Sequence, residues 1–149
     1  MPLYTEKQRK AVLARAGEAV QARIGGATEV TLGTGAAKQT FDLDAGGYCN
    51  RFVRQVFETS LGLSPFTWYF GAAKACQTLA KLKPYEVPLK DRQPGDILGF
   101  AGDPGHICLY LGTDFDPSKE LVAENTSARR GFPAAPGDEG DPLRQPQRG

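Results

Sequence analysis

Residues 94–112 read PGDILGFAGDPGHICLYLG, and this stretch decides the predicted fold. Pro-Gly-Asp at 94–96 is a turn signal, and two apolar runs, 97–100 and 106–112, flank a segment rich in Gly and Pro. We predict two strands joined by the loop 101–105. Side-chain alternation then gives the second strand two different faces. One face carries His106, Cys108 and Tyr110, and the other carries Ile107, Leu109 and Leu111.

A cysteine at the start of an amphipathic helix is the candidate nucleophile. After Gly46 and Gly47, apolar residues recur with helical period. They are Cys49, Phe52, Val53, Val56 and Phe57. The pattern predicts a helix from about Cys49 to Gly62. Because the free N–H groups and the dipole of a helix N-terminus stabilise an anion, a thiolate is favoured in this first turn.

His106 is the only histidine of the chain and the candidate base. We expect its ring and the Cys49 sulfur to meet across a solvent-reachable groove. An imidazole that acts as a base needs a partner on its other nitrogen. A third predicted strand, 120–125, offers two candidates on opposite faces, so only one of them should reach the ring. Asn125 is the first choice, and Glu124 is the alternative.

Together these motifs resemble a family of cell-wall hydrolases. GYC at 47–49 with FV at 52–53, then PGDILGF at 94–100, then GHI at 105–107 running into YLG at 110–112, is similar to the NlpC-type cysteine peptidases and the related CHAP amidases. The resemblance covers about residues 44–127. It implies a papain-like fold that cuts peptide or amide bonds in peptidoglycan, with Cys49 as nucleophile, His106 as general base and Asn125 as the orienting residue.

The residues beside the nucleophile depart from the common family pattern. NlpC-type endopeptidases carry Asp-Cys-Ser, whereas this chain has Tyr48 and Asn50 around Cys49. We expect both to belong to the oxyanion and substrate-binding region. The Cys49 backbone N–H is one oxyanion donor, and the resemblance implies Tyr48 as a second. Trp68 lies within a predicted helix of adjacent aromatics, for which core packing is the first expectation. Adjacent aromatics on a helix cannot all face one way, so Trp68 is also a candidate to line a groove and stack on substrate.

The other cysteines indicate neither a metal site nor a disulfide framework. No Cys-x-x-Cys occurs, Cys49 and Cys76 belong to separate predicted helices, and three cysteines is an odd number. We therefore expect no metal and no cofactor. Cys76 and Cys108 are expected in the core, and a site-lining or redox-sensitive role is the alternative for Cys108.

Length and composition favour one α+β domain, with helices packed on a small, mostly antiparallel sheet. The chain has 149 residues, of which 40% are hydrophobic. We predict an N-terminal helix in 1–26 with a capping box at Thr5 and Gln8, a papain-like core at 27–128 and a Pro/Gly-rich tail at 129–149. Within the core we expect a hairpin from 29–32 and 39–43, and a third helix from about 64 to 83.

Charge and hydropathy exclude several classes of partner. The net charge of +1 gives no pull toward nucleic acid, and no apolar run approaches the roughly 20 residues that span a bilayer. With no signal-peptide pattern, we expect a soluble monomer made in the cytoplasm and then released or delivered to the cell wall. Peptidoglycan or a related peptide is the expected substrate. A non-catalytic papain-like binding module and a thioester-forming acyltransferase are the alternatives.

Overall fold

The computed structural model describes residues 5–44, 49–62, 75–100 and 106–124. Within them the chain is α+β, as predicted, and its strands form two small antiparallel sheets of two and three strands. The helices are α1 (Glu6–Ile24), α2 (Cys49–Leu61) and α3 (Ala75–Leu82), and the strands are β1 (Glu29–Leu32), β2 (Gln39–Asp42), β3 (Ile97–Phe100), β4 (His106–Gly112) and β5 (Leu121–Ala123). Short 3₁₀ turns lie at Gly35–Ala37, Lys83–Tyr85 and Leu89–Asp91.

Helix α1 begins at the predicted capping box. The Gln8 backbone N–H donates to Thr5 Oγ1 at 3.2 Å, and the Thr5 backbone N–H donates to Gln8 Oε1 at 2.9 Å. Each bond satisfies an N–H group that the helix itself leaves without a partner. The buried face of α1 packs against α2 and belongs to the main apolar core. Its buried apolar residues are Val12, Ala16, Ala19 and Val20.

The predicted hairpin and second helix are confirmed. Strands β1 and β2 pair with Val30 opposite Phe41. The Phe41 ring meets the Phe52 ring of α2 edge to face, with centroids 6.0 Å apart, so the hairpin covers one side of α2. Every residue of the predicted α2 stripe is buried, and the helix ends just before Gly62, whose φ of 83° favours glycine.

The start of the predicted third helix lies outside the described residues. The described part, α3, ends at Leu82, and Lys83–Tyr85 forms a single 3₁₀ turn that accommodates Pro84. Proline cannot supply the N–H that a continuing helix needs, which explains the stop. The tail 129–149 and the Cys76 side chain also lie outside the described residues.

The three-stranded sheet has the order β3-β4-β5 and the two faces that the alternation predicted. One face joins the core of α1 and α2, and the other forms a second apolar cluster. Ile107, Leu109, Leu111 and Ala123 lie in the main core, and Leu98, Cys108, Tyr110 and Val122 lie in the second cluster. Strand β4 is the central strand and is buried on both faces. Its side chains are therefore held in place by packing.

Residues 94–96 attach this sheet to α1. The Gly95 N–H donates to the Tyr110 carbonyl at 2.7 Å, and the Tyr110 N–H donates to the Asp96 carbonyl at 2.8 Å. The Arg9 guanidinium of α1 donates to the Asp96 carboxylate at 2.7 Å and to the Pro94 carbonyl at 2.9 Å. This turn therefore positions β3 against β4 and holds both against the first helix. No described helix is both long and apolar enough to cross a membrane.

Candidate active site

Packing of α2 against β4 brings together two residues that are 57 positions apart in sequence. Cys49 is the first residue of α2, and His106 is the first residue of β4. The two side chains lie within hydrogen-bonding reach of each other. A cysteine at a helix start and the only histidine of the chain thus share one site, as the sequence predicted.

The second contact of the imidazole is with Glu124. His106 Nε2 lies 2.6 Å from Glu124 Oε1, and only 2% of the Glu124 side chain is exposed. Because Nε2 faces the carboxylate, Nδ1 is the ring atom left for Cys49. The first choice for this partner, Asn125, lies outside the described residues. Glu124, the alternative, is the residue that the structure places on the ring.

Strand register explains why Glu124 reaches the imidazole. Tyr110 pairs with Val122, and Leu109 pairs with Ala123. Continuing this antiparallel register by one residue sets Glu124 opposite Cys108, on the face that His106 also shares. A carboxylate two residues beyond Val122 therefore projects on the same side as the imidazole.

These contacts determine the charge of the ring. Burial disfavours the charged imidazole and lowers its pKa, but hydrogen bonds and negative charge from Cys49 and Glu124 more than offset burial. The net result raises the pKa of His106 from 6.5 to about 9. At neutral pH the ring is an imidazolium, and such a cation stabilises an adjacent thiolate.

The expected groove is only partly present. The His106 side chain is 20% exposed, so solvent reaches the imidazole. Cys49 is 1% exposed, so its sulfur is covered rather than open to solvent. The sequence predicted that Cys49 and His106 meet, but the apolar period of a helix does not indicate how deeply its first residue is covered.

Cys108 lies directly beside this arrangement. It is buried in the second apolar cluster, as expected for a core cysteine. Burial, followed by the nearby charges of Glu124 and Cys49, raises the pKa of its thiol well above the usual value. Cys108 Sγ, a ring nitrogen of His106 and a carboxylate oxygen of Glu124 all lie within 4.8 Å of one another. The cluster therefore contains a thiol beside the imidazole and the carboxylate, and a site-lining role was the alternative expected for Cys108.

The three residues expected to bind substrate have different outcomes. Tyr48 and Trp68 lie outside the described residues. Asn50 is described and is 1% exposed. Within the described part of the chain, its Oδ1 has no hydrogen-bond partner. A buried amide oxygen normally accepts a hydrogen bond, so Asn50 keeps an acceptor that a donor group can use.

A second polar cluster, which the sequence analysis missed, lies further along the same strand. The Tyr110 hydroxyl donates to the Glu120 carboxylate, and Arg92 stacks on the Tyr110 ring at 5.2 Å from its centroid. Burial and then the Glu120 carboxylate raise the pKa of Tyr110. Tyr110 was predicted on the His106 face. Arg92 and Glu120 come from separate turns, so no local pattern in the sequence indicates that they contact Tyr110.

A scan of known family models, a search of curated proteins and a search of solved structures each found no match to this chain.

Proposed function

We propose that this chain is a papain-like cysteine hydrolase that cleaves amide or peptide bonds in peptidoglycan or a related peptide. The observation that carries the proposal is the position of the only histidine, held between a helix-start cysteine and a buried carboxylate. Nucleophile, base and orienting group in that order are the arrangement on which covalent acyl-transfer catalysis depends.

The mechanism follows from the roles of the three side chains. The Cys49 thiolate attacks the amide carbonyl, and the His106 imidazolium gives its proton to the leaving amine as the C–N bond breaks. The resulting thioester is attacked by water, whose proton the now neutral imidazole accepts, and the thiolate leaves. Glu124 keeps Nε2 in place and stabilises the imidazolium, so Nδ1 remains directed at the sulfur.

The oxyanion needs donors that are fixed before the reaction. The backbone N–H of Cys49 lies in the first turn of α2, where helical N–H groups have no intrahelical acceptor. We assign it as one donor to the tetrahedral intermediate. Tyr48 is the second donor by resemblance, and the Asn50 amide oxygen is an acceptor suited to an amine of the substrate.

The substrate class comes from the motif resemblance. GYC, PGDILGF and GHI in this order are typical of enzymes that act on peptidoglycan peptides. Purified muropeptides incubated with the wild-type chain should give shorter products by mass spectrometry. Cys49→Ala and His106→Ala should each lower turnover by at least about a thousandfold, because nucleophile and base act as a unit. Cys76→Ala is the matched control and should keep turnover. An active His106→Ala variant would exclude His106 as the base.

The burial of Cys49 favours a second candidate, a non-catalytic binding module with the same scaffold. A sulfur that is 1% exposed reacts only if the chain opens around it. Iodoacetamide separates the two candidates. Rapid modification of Cys49 that slows in His106→Gln indicates an activated nucleophile, whereas slow modification at the same rate in both chains indicates a buried structural thiol. Transfer of the acyl group to an added amine, seen in the product masses, would identify an acyltransferase.

A further inference from the structure

We propose that His106, Cys108 and Glu124 form a binding site for a thiophilic divalent cation of the Zn²⁺ type. The three residues supply an imidazole nitrogen, a sulfur and a carboxylate oxygen that all lie within 4.8 Å of one another. The site shares His106 and Glu124 with the proposed hydrolase and adds Cys108, which has no part in that mechanism, so cation binding can be tested whether or not the chain is a hydrolase.

The distances suit tetrahedral coordination. Bonds of about 2.0–2.3 Å to N, O and S in a tetrahedron place the ligand atoms roughly 3.3–3.8 Å apart. His106 Nε2 and Glu124 Oε1 are 2.6 Å apart, which is closer than that range, and all the ligand atoms of the cluster lie within 4.8 Å of one another. A cation replaces the proton between Nε2 and Oε1, and that pair then opens by less than 1 Å to accommodate it.

The sheet provides these ligands from a rigid framework. His106 and Cys108 are two residues apart on one face of the central strand β4, and Glu124 comes from the neighbouring strand β5. Cys108 and Glu124 are buried and His106 is partly buried. Side chains held in this way lose little further freedom when they bind a cation.

The chemistry of the ligands selects the metal. Thiolate and imidazole favour Zn²⁺ over Mg²⁺ or Ca²⁺, which prefer oxygen. Three protein ligands leave the fourth position to water. The Cys108 thiol gives up its proton on binding, as metal-bound cysteines do.

Cys49 has a different role in this state. With Nε2 on the cation, Nδ1–H is the ring donor that remains, and Cys49, which hydrogen-bonds to this ring, would accept from it as an outer partner that orients the ligating imidazole. Occupation of Nε2 and Glu124 by the cation also removes the imidazolium that the hydrolase mechanism requires. Zn²⁺ should therefore suppress turnover reversibly.

The test uses the full chain without a histidine tag, reduced and stripped of metal. Addition of Co²⁺ should give thiolate-to-cobalt charge-transfer absorption that saturates at one equivalent, and Zn²⁺ but not Mg²⁺ should abolish it. Cys108→Ser should remove this absorption and lower Zn²⁺ affinity by at least about tenfold, whereas Cys49→Ser should keep it. Loss of the absorption in Cys49→Ser but not in Cys108→Ser would overturn the proposed site. So would the absence of absorption from the wild-type chain at one equivalent of Co²⁺.

A measurement on the wild-type chain makes the test independent of how the variants fold. X-ray absorption of the Zn²⁺-loaded protein should show one sulfur at about 2.3 Å and the remaining ligands as nitrogen or oxygen. Zero or two sulfur ligands would contradict the assignment. If Cys49→Ser abolishes muropeptide cleavage and keeps Co²⁺ binding, cleavage requires Cys49 and cation binding does not, so either proposal can fail without the other.

Discussion

The charge of His106 depends on a balance between burial and two anionic neighbours. Burial lowers its pKa, whereas Cys49 and Glu124 raise it to a net value of about 9. Because the chain has a single histidine, this balance can be followed by one imidazole signal without assignment. The NMR signal of His106 therefore reports directly on the electrostatics of the candidate site.

Glu124→Gln should lower the pKa of His106 by at least about one unit, because an amide accepts a hydrogen bond but carries no negative charge. The imidazole Cε1–H shift, followed by NMR from pH 5 to 10, measures the change in the metal-free chain. Glu120→Gln is the matched control, since this carboxylate contacts Arg92 and Tyr110 instead. Equal pKa values in the wild type and Glu124→Gln would contradict the role of this carboxylate.

The sequence put Cys49 and His106 in one predicted site and left the orienting residue open between Asn125, the first choice, and Glu124. The partner of His106 that the structure describes is Glu124, and Asn125 lies outside the described residues. Alternation showed that only one of residues 124 and 125 could face the ring. Which one depends on the register between β4 and β5, in which Tyr110 pairs with Val122 and Leu109 pairs with Ala123. Alternation within one strand does not indicate which residues of a neighbouring strand lie opposite it.

At the scale of elements, Gly112 is the residue that ends β4 against the 94–96 turn. Its φ is +60°, and a Cβ added there would lie 2.7 Å from Pro94 Cγ. Gly35 has a similar φ of +55°, with no atom within 4 Å of such a Cβ. Alanine at Gly35 should incur only the conformational cost of a positive φ. Alanine at Gly112 should incur that cost and also the cost of a clash with Pro94.

Gly112→Ala should lower the free energy of unfolding by about 1–3 kcal/mol more than Gly35→Ala, because only the first also overpacks the rigid proline ring. Urea denaturation of both variants and the wild type measures the difference. Equal losses would show that Pro94 moves away at no cost and that the turn is not rigidly packed on β4.

The capping box of α1 gives a second prediction for an element. Thr5→Ala should lower the free energy of unfolding by about 1 kcal/mol, because the Gln8 N–H loses its acceptor. Thr5→Ser keeps the hydroxyl and should stay within a few tenths of a kcal/mol of the wild type. Thermal unfolding followed by circular dichroism compares the three chains.

Most described elements could be predicted because their signals are local. A capping box, a Gly-containing hairpin turn and the apolar period of α2 each lie within a few residues of the element they specify. The division into two sheets and the attachment of α1 to residues 94–96 depend on contacts between distant segments. These contacts have no signature in a single sequence, so local patterns alone cannot predict them.

For the whole molecule, the stability should fall as pH rises from about 6.5 to about 9. The folded pKa of His106 is above its value in the unfolded chain, so the folded state binds this proton more tightly. The contribution is complete below about 6.5 and disappears as pH rises through 9. It is at most about 3 kcal/mol. Urea denaturation at pH 6 and pH 9 measures this loss in the free energy of unfolding. The loss should be smaller in His106→Gln than in the wild type. An equal loss in both chains would show that other groups cause it.

The Arg9 contacts with Pro94 and Asp96 span 85 and 87 positions of the chain. During synthesis the first helix leaves the ribosome long before the segment to which Arg9 hydrogen-bonds. Strands β4 and β5 leave later still. Until that segment has been made, Arg9 lacks the Pro94 carbonyl and the Asp96 carboxylate that accept its hydrogen bonds in the folded chain. A stalled or shortened translation product that ends before residue 94 would contain the capped first helix and Cys49, but neither His106 nor the contacts that join Arg9 to the sheet.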